Sequence, residues 1–62
     1  PYKGQKINEI IEFVNEHNLL ASGGIIMAEC LKEDELHEMI GDIKQVKREI
    51  YGITSITIYH RD

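Results

Sequence analysis

The sequence predicts a small α/β (α+β) domain, of ferredoxin-like or truncated β-α-β type, with its helices on one face of a small sheet. An apolar run at 24–30, an amphipathic segment at 32–50 and a second apolar run at 53–59 follow one another. This is the order of a unit in which a helix crosses between two parallel strands. With a helix in front, the predicted order is α-(β)-β-α-β in a single domain of residues 1–62.

The first helix is predicted over residues 5–17. Its apolar positions recur at i, i+3, i+4 and i+7: Ile7, Ile10, Ile11 and Val14. Asn8 is assigned to the opposite, polar face. Asn18 is a suitable end, because asparagine tolerates the left-handed backbone conformation that closes helices. A short strand is predicted at 19–22, and Gly23-Gly24 is the turn into the next strand.

The strand at 24–30 is apolar on both faces, which is typical of a central strand. The segment 32–50 is predicted to be helical because apolar residues recur at steps of three and four. These residues are Leu36, Met39, Ile40, Ile43, Val46 and Ile50. Acidic residues come first in this segment, and Lys44, Lys47 and Arg48 come last, so both groups complement the helix dipole.

The strand at 53–59 is predicted to lie parallel to the strand at 24–30. Its alternation places Ile56, Ile58 and His60 on one face. The predicted core combines the apolar positions of all four elements: Ile10, Ile11, Val14, Ile26, Leu36, Ile40, Ile43, Ile56 and Ile58.

Length and charge narrow the classes of function. A domain of 62 residues buries only about 60% of its unfolded surface, and a single cysteine forms no internal disulfide, so self-association is the expected source of stability. One thiol also favours the cytoplasm. Eleven acidic against seven basic residues give a net charge of −4, and the basic residues are scattered, so a nucleic-acid partner is not expected. No apolar run is long enough to predict a membrane span.

Several of these features together resemble the ACT domains, which are small ferredoxin-like regulatory modules. The resemblance rests on the Gly23-Gly24 hairpin, the strand ending at Glu29-Cys30, the helix that opens with acidic residues and the closing run at 52–58. It implies subunits that pair side by side and bind an amino acid or another small ligand. It also implies that Gly4 and Gln5 belong to the ligand-binding loop.

A second resemblance, to the tautomerase superfamily, rests on Pro1, whose secondary amine would serve as a catalytic base. That family places the proline at the head of a buried apolar strand, whereas residues 2–6 here are polar, so this resemblance is disfavoured. A metal site built from Cys30, His37 and His60 is a further alternative, but the spacing of these residues is not that of paired metal ligands. No catalytic residue, metal ligand or cofactor is predicted.

The function expected from the sequence is therefore a small non-catalytic, homo-oligomeric ligand-binding or regulatory module, a homodimer or higher oligomer that binds a small molecule or another protein. The first alternative is a structural or protein-interaction domain that uses an apolar sheet face. The second alternative is a small enzyme that uses Pro1 or the histidine and cysteine side chains.

Overall fold

The computed structural model describes residues 3–62, in which one helix is followed by four strands. The elements are α1 (Lys3–Glu16), β1 (Ile25–Leu31), β2 (Met39–Ile40), β3 (Ile43–Tyr51) and β4 (Thr54–Arg61). The strands form one antiparallel sheet in the order β1-β4-β3-β2, and α1 packs on one face of it. The α+β class is confirmed, whereas the ferredoxin-like order is not. Within residues 3–62, no helix is long and apolar enough to cross a membrane.

The first helix and its end agree with the sequence prediction to within two residues. Asn18 has a φ of 52°, the left-handed conformation expected after a helix. The short strand predicted at 19–22 is absent, and this segment forms bends and turns. The Leu20 carbonyl oxygen in this segment accepts a hydrogen bond from Arg61 Nη1, at the end of β4, at 2.5 Å.

The predicted second helix at 32–50 is wrong. The segment forms a loop and then the β2–β3 hairpin, in which Ile40 pairs with Ile43 across the two-residue turn Gly41-Asp42. Gly41 has a φ of 59°, as a glycine-first hairpin turn requires. Gly52 has a φ of 61° and opens a second two-residue turn, between β3 and β4. Because each turn reverses the direction of the chain, residues 32–50 do not form one continuous helix.

A β-bulge in β3 explains why this segment imitates a helix. The register of β3 against β4 shifts between Gln45 and Lys47, so Val46 is an extra residue. The bulge interrupts the strict alternation of a strand. β3 therefore lacks a strict two-residue period, and the steps from Ile43 to Val46 and Ile50 fit a helix as well, although Val46 and Ile50 are exposed in the strand.

The parallel arrangement predicted for the strands at 24–30 and 53–59 is also wrong. β1 and β4 are antiparallel neighbours, in a register that runs from Ile25 opposite His60 to Leu31 opposite Thr54. No crossover helix joins them. A two-residue hairpin reverses the chain between β3 and β4, and β4 then lies between β3 and β1 in the sheet.

The core lies between α1 and one face of the sheet. Of the predicted core residues, Ile11, Leu36, Ile40 and Ile43 are buried, and Val14 and Ile26 pack partly buried against them. Ile10 is 55% exposed in the described part of the chain, so its assignment to the core is wrong there.

The predicted inner face of β4 is inverted. Ser55, Thr57 and Tyr59 are fully buried toward α1, whereas Ile56 and Ile58 are half-buried on the opposite face. Because successive strand residues alternate between faces, an error in which face points to α1 places every side chain of β4 on the wrong side of the sheet. The face opposite α1 is therefore the more apolar one along β4.

Tyr59 makes the fold sensitive to alkaline pH. Burial raises the pKa of its hydroxyl, against lowering contributions from a Gln45 hydrogen bond and the Arg48 charge, while Cys30 raises it further. The folded state thus prefers the protonated form. The resulting stability is complete below the unfolded pKa of about 10 and is lost as pH rises through the folded value. In unfolding measurements against pH, Tyr59→Phe should lose stability less steeply above pH 10 than the parent protein; identical slopes would contradict this assignment.

Candidate functional site

A cavity lies where the amino end of α1 meets the carboxyl end of β1. It has a volume of about 490 Å³. Its lining comes from α1, from the last residue of β1 and from the loop that follows: Gly4, Gln5, Asn8, Leu31, Glu33, Asp34 and Glu35. Gly4 and Gln5, the two residues expected to bind a ligand, therefore both line this cavity.

Asn8 ties the loop over residues 32–38 to α1. Its Nδ2 donates to the Glu35 carbonyl oxygen at 3.1 Å, and its Oδ1 accepts from the His37 N–H at 2.9 Å. Asn8 is only 8% exposed, and a polar side chain that is buried to this degree needs such partners. The assignment of Asn8 to the polar face of α1 is therefore wrong.

The sheet holds the same loop from the other side. The Arg48 Nη2 donates to the Lys32 and Asp34 carbonyl oxygens at 3.1 and 2.9 Å. The Tyr59 hydroxyl donates to the His37 carbonyl oxygen at 2.5 Å. The loop is thus clamped from α1, β3 and β4, which pre-organises this wall of the cavity.

Asp34 closes the loop onto the end of β1. Its Oδ2 accepts from the Leu31 N–H at 2.9 Å, and its own N–H donates to the Leu31 carbonyl oxygen at 3.0 Å. Ionised carboxylates only accept hydrogen bonds, whereas side-chain amides both donate and accept them. Glu33, Asp34 and Glu35, whose carboxylates accept, and Gln5 and Asn8, whose amides both donate and accept, line the cavity, which suits a ligand that has polar groups of both kinds.

Gly4 sets the distance between α1 and the loop. A Cβ atom added at this position would lie 2.7 Å from the Asp34 Cβ, so the two segments would have to separate. Overpacking of this kind costs about 1–3 kcal/mol, partly offset by the gain of about 1 kcal/mol for replacing glycine in a helix. In the full-length protein, Gly4→Ala should leave the free energy of unfolding within about 2 kcal/mol of the parent. It should also alter the shape of the cavity, which a change in ligand affinity would detect. Unchanged ligand affinity would contradict this role.

The structure does not bring the other proposed site residues together. Cys30 is buried toward α1 next to the Ser55 hydroxyl, whereas His60 lies on the opposite face of the sheet, near Asp62. His37 pairs with Glu12 at 3.2 Å. Among residues 3–62, no three histidine, cysteine or acidic side chains converge as a metal-binding group. Pro1 lies outside the described residues.

Sequence reasoning missed Asn8 and Arg48, which position the loop. Asn8 stands four residues after Gly4 and three before Ile11, so it shares their face of α1. That spacing was the available signal. Arg48 carried no such signal, because its contacts depend on the β3 hairpin in place of the predicted helix.

One curated relative is similar to almost the whole chain. It is "Putative rRNA methyltransferase YlbH" of Bacillus subtilis (strain 168), which is 38% identical over 61 residues. The match covers 98% of this chain but only 33% of the relative. The chain thus spans about a third of the length of the curated relative.

This relative overturns two expectations about function. The expected non-catalytic regulatory module is wrong, and the homodimer inferred with it has no support in the relative. The exclusion of nucleic acid is also wrong, since the relative is named for RNA. That exclusion rested on the net charge of 62 residues, whereas the relative is about three times as long.

The resemblance to ACT domains is likewise wrong. It rested on a β-α-β order whose helix does not exist. A family model matches residues 1–60, nearly the whole sequence. The chain belongs to the family described as conserved hypothetical protein 95.

Proposed function

We propose that this chain is part of an enzyme that methylates ribosomal RNA, and that the cavity between α1 and the 32–38 loop is part of its reaction site. The observation that carries the proposal is the 38% identity, over nearly the whole chain, to a relative named for this activity. A cytoplasmic location, expected from the single thiol, belongs to the same proposal.

The cavity supports the proposal by its shape and by its rigidity. Transfer of a methyl group requires that the donor and the accepting atom be held in line and shielded from water. A concave site of about 490 Å³ between a helix end and a clamped loop suits the binding of one such molecule. Within this proposal, Gly4 and Gln5 contact the ligand, while Asn8 and Arg48 position the loop.

The charge of the chain limits what it contributes to RNA binding. Contacts to the phosphate backbone need clustered lysine and arginine side chains. Here Arg48 is engaged by the loop carbonyl groups, and Lys44 lies 3.4 Å from Asp62. We therefore assign the cavity wall to this chain and most of the phosphate contacts to the remainder of the full-length protein.

Methyl transfer by the full-length protein tests the proposal. Ribosomal RNA from cells that lack the protein is incubated with it and with S-adenosylmethionine that carries a labelled methyl group. We expect label in ribosomal RNA at one nucleotide, and no label when the RNA comes from cells that already contain the protein. Absence of label from ribosomal RNA, or label only in transfer RNA or protein, would overturn the proposal.

Two variants connect the activity to the cavity. Gly4→Val fills the space between α1 and Asp34 and should reduce kcat/KM at least about tenfold, a change of about 1.4 kcal/mol in transition-state binding. Ser22→Ala is the control, because Ser22 is exposed at the far end of β1. Equal activity of the two variants would show that the cavity is not part of the reaction site. It would not bear on whether the protein methylates ribosomal RNA.

A further inference from the structure

The tip of the β3–β4 hairpin is apolar and exposed. Tyr51 is the last residue of β3, and the two-residue turn Gly52-Ile53 follows it. Tyr51 is 59% and Ile53 is 70% exposed in the described part of the chain. Hairpin turns are ordinarily built from glycine, asparagine, aspartate or serine, so the turn itself does not require these two large side chains. Exposed tyrosine side chains are typical of surfaces that bind a partner.

The tip lies at the same end of the sheet as the cavity. Tyr51 pairs with Thr54 across the hairpin, and Thr54 pairs with Leu31, which lines the cavity. Since neighbouring strands lie about 4.8 Å apart, the backbones of Tyr51 and Leu31 are separated by roughly 10 Å. A molecule that occupies the cavity and extends beyond the end of β1 therefore reaches the tip.

Hydrogen bonds hold the tip in place against the cavity wall. The Thr54 hydroxyl donates to the Tyr51 carbonyl oxygen at 2.9 Å, which closes the turn. The Lys32 N–H donates to the Ile53 carbonyl oxygen at 2.9 Å, which joins the tip to the 32–38 loop. A contact surface that is fixed in this way loses little conformational entropy when it binds a partner.

Lys32 provides a positive charge between the cavity and the tip. Its N–H bonds to Ile53 and its carbonyl oxygen accepts from Arg48, whereas its side chain is exposed. Within residues 3–62, no ion pair involves this side chain. Acidic side chains line the cavity itself and repel phosphate groups. The phosphate of a bound nucleotide is therefore expected outside the cavity, at Lys32.

An unpaired stretch of RNA matches this combination of aromatic side chain and positive charge. Proteins that recognise RNA by its sequence bind unpaired nucleotides, whose bases stack on aromatic side chains. When one base leaves the stack to enter a reaction site, the faces of its neighbours are uncovered, at an energetic cost. A tyrosine ring can cover such a face whichever base is present. An apolar protein surface, by contrast, would leave the Lys32 charge without a partner.

We propose that Tyr51 stacks on the base next to the nucleotide held in the cavity, and that Lys32 contacts the phosphate between these two nucleotides. Ile53 packs beside the same base. The inference rests on the proposed methylation of ribosomal RNA, and it assigns to this chain the contact with the RNA strand just outside the cavity.

Equilibrium binding tests the stacking. The full-length protein is titrated with a short ribosomal RNA fragment centred on the nucleotide that becomes labelled. Tyr51→Ala should weaken binding at least about fivefold, as loss of one stacked base does, whereas Tyr51→Phe should bind like the parent. Phe13→Ala is the control, because Phe13 is similarly exposed but lies in the last turns of α1, away from the cavity. Equal affinities of Tyr51→Ala and Phe13→Ala would overturn the proposal.

A nucleotide without a base locates the contact. Placed next to the labelled position, it should weaken binding of the parent but not of Tyr51→Ala, because the stacking partner is then already missing. Equal weakening of both proteins at each neighbouring position would overturn the proposal. So would a lower free energy of unfolding or a changed subunit assembly in Tyr51→Ala, since the tip would then pack on protein.

The salt dependence of binding tests Lys32. Lys32→Gln should reduce the slope of log affinity against log salt concentration by about 0.7, the value for one phosphate of a single strand. Lys44→Gln, at the other end of the sheet, should leave the slope unchanged. An unchanged slope for Lys32→Gln would overturn the phosphate contact. If the parent labels ribosomal RNA and these variants behave like it, this inference alone fails, whereas absence of label with the parent overturns the proposed function as well.

Discussion

Replacing Ile43 by alanine is expected to lower the free energy of unfolding by about 2–5 kcal/mol, the range for truncating a buried aliphatic side chain. Ile43 is 1% exposed and pairs with Ile40 directly across the Gly41-Asp42 turn. Both side chains belong to the core with Ile11 of α1. The loss should appear as a lower urea midpoint of the full-length protein, with an unchanged slope.

Val46 provides the control for this measurement. It is another β-branched residue of β3, but it occupies the bulge and is 60% exposed. Val46→Ala should therefore change stability by less than about 0.5 kcal/mol, as surface substitutions usually do. If both variants cost the same, the β2–β3 hairpin would not pack on α1 as the structure has it.

Asn8→Leu is expected to have the second largest effect. The substitution leaves the Glu35 carbonyl oxygen and the His37 N–H without their partner. Each unsatisfied group of this kind costs about 1–3 kcal/mol when it stays buried. The better helix propensity of leucine returns only a few tenths of a kcal/mol. Denaturant unfolding should show the loss, and hydrogen exchange should show faster opening of residues 32–38.

Glu9→Leu is the matched control on the same helix. It introduces the same side chain one residue later, at an exposed position. Its stability should stay close to that of the parent protein. Exchange in residues 32–38 that is identical in the two variants would contradict the role of Asn8 as the clamp of this loop.

If the cavity is part of a methyltransferase site, Asn8→Leu should also reduce catalysis more than it reduces the folded fraction. Displacement of a positioning loop by about 1 Å can cost about a hundredfold in rate. The comparison is made at a temperature at which both proteins are fully folded. A reduction no larger than that of Glu9→Leu would separate the loop from the reaction.

Local sequence signals determined α1, β1 and β4 with nearly correct ends. The apolar period of α1 and the left-handed Asn18 are properties of neighbouring residues, so no distant contact is needed to recognise them. Gly4 and Gln5 line the cavity, but they were assigned to a ligand loop through the resemblance to ACT domains, so their ligand-binding role stays a prediction. Leu36, Ile40 and Ile43 were assigned correctly to the core although their element was wrong, because burial follows from their apolar side chains in either conformation.

Tertiary structure decided the rest. In residues 32–50 the helical and strand patterns coincide, and pairing of β3 with β4 selects the strand because it satisfies backbone groups along the whole segment. The position of α1 selects the face of β4 that carries Tyr59, and it turns Asn8 into a clamp for a loop nearly thirty residues away. These outcomes depend on contacts between distant segments, which the local period of a sequence does not encode.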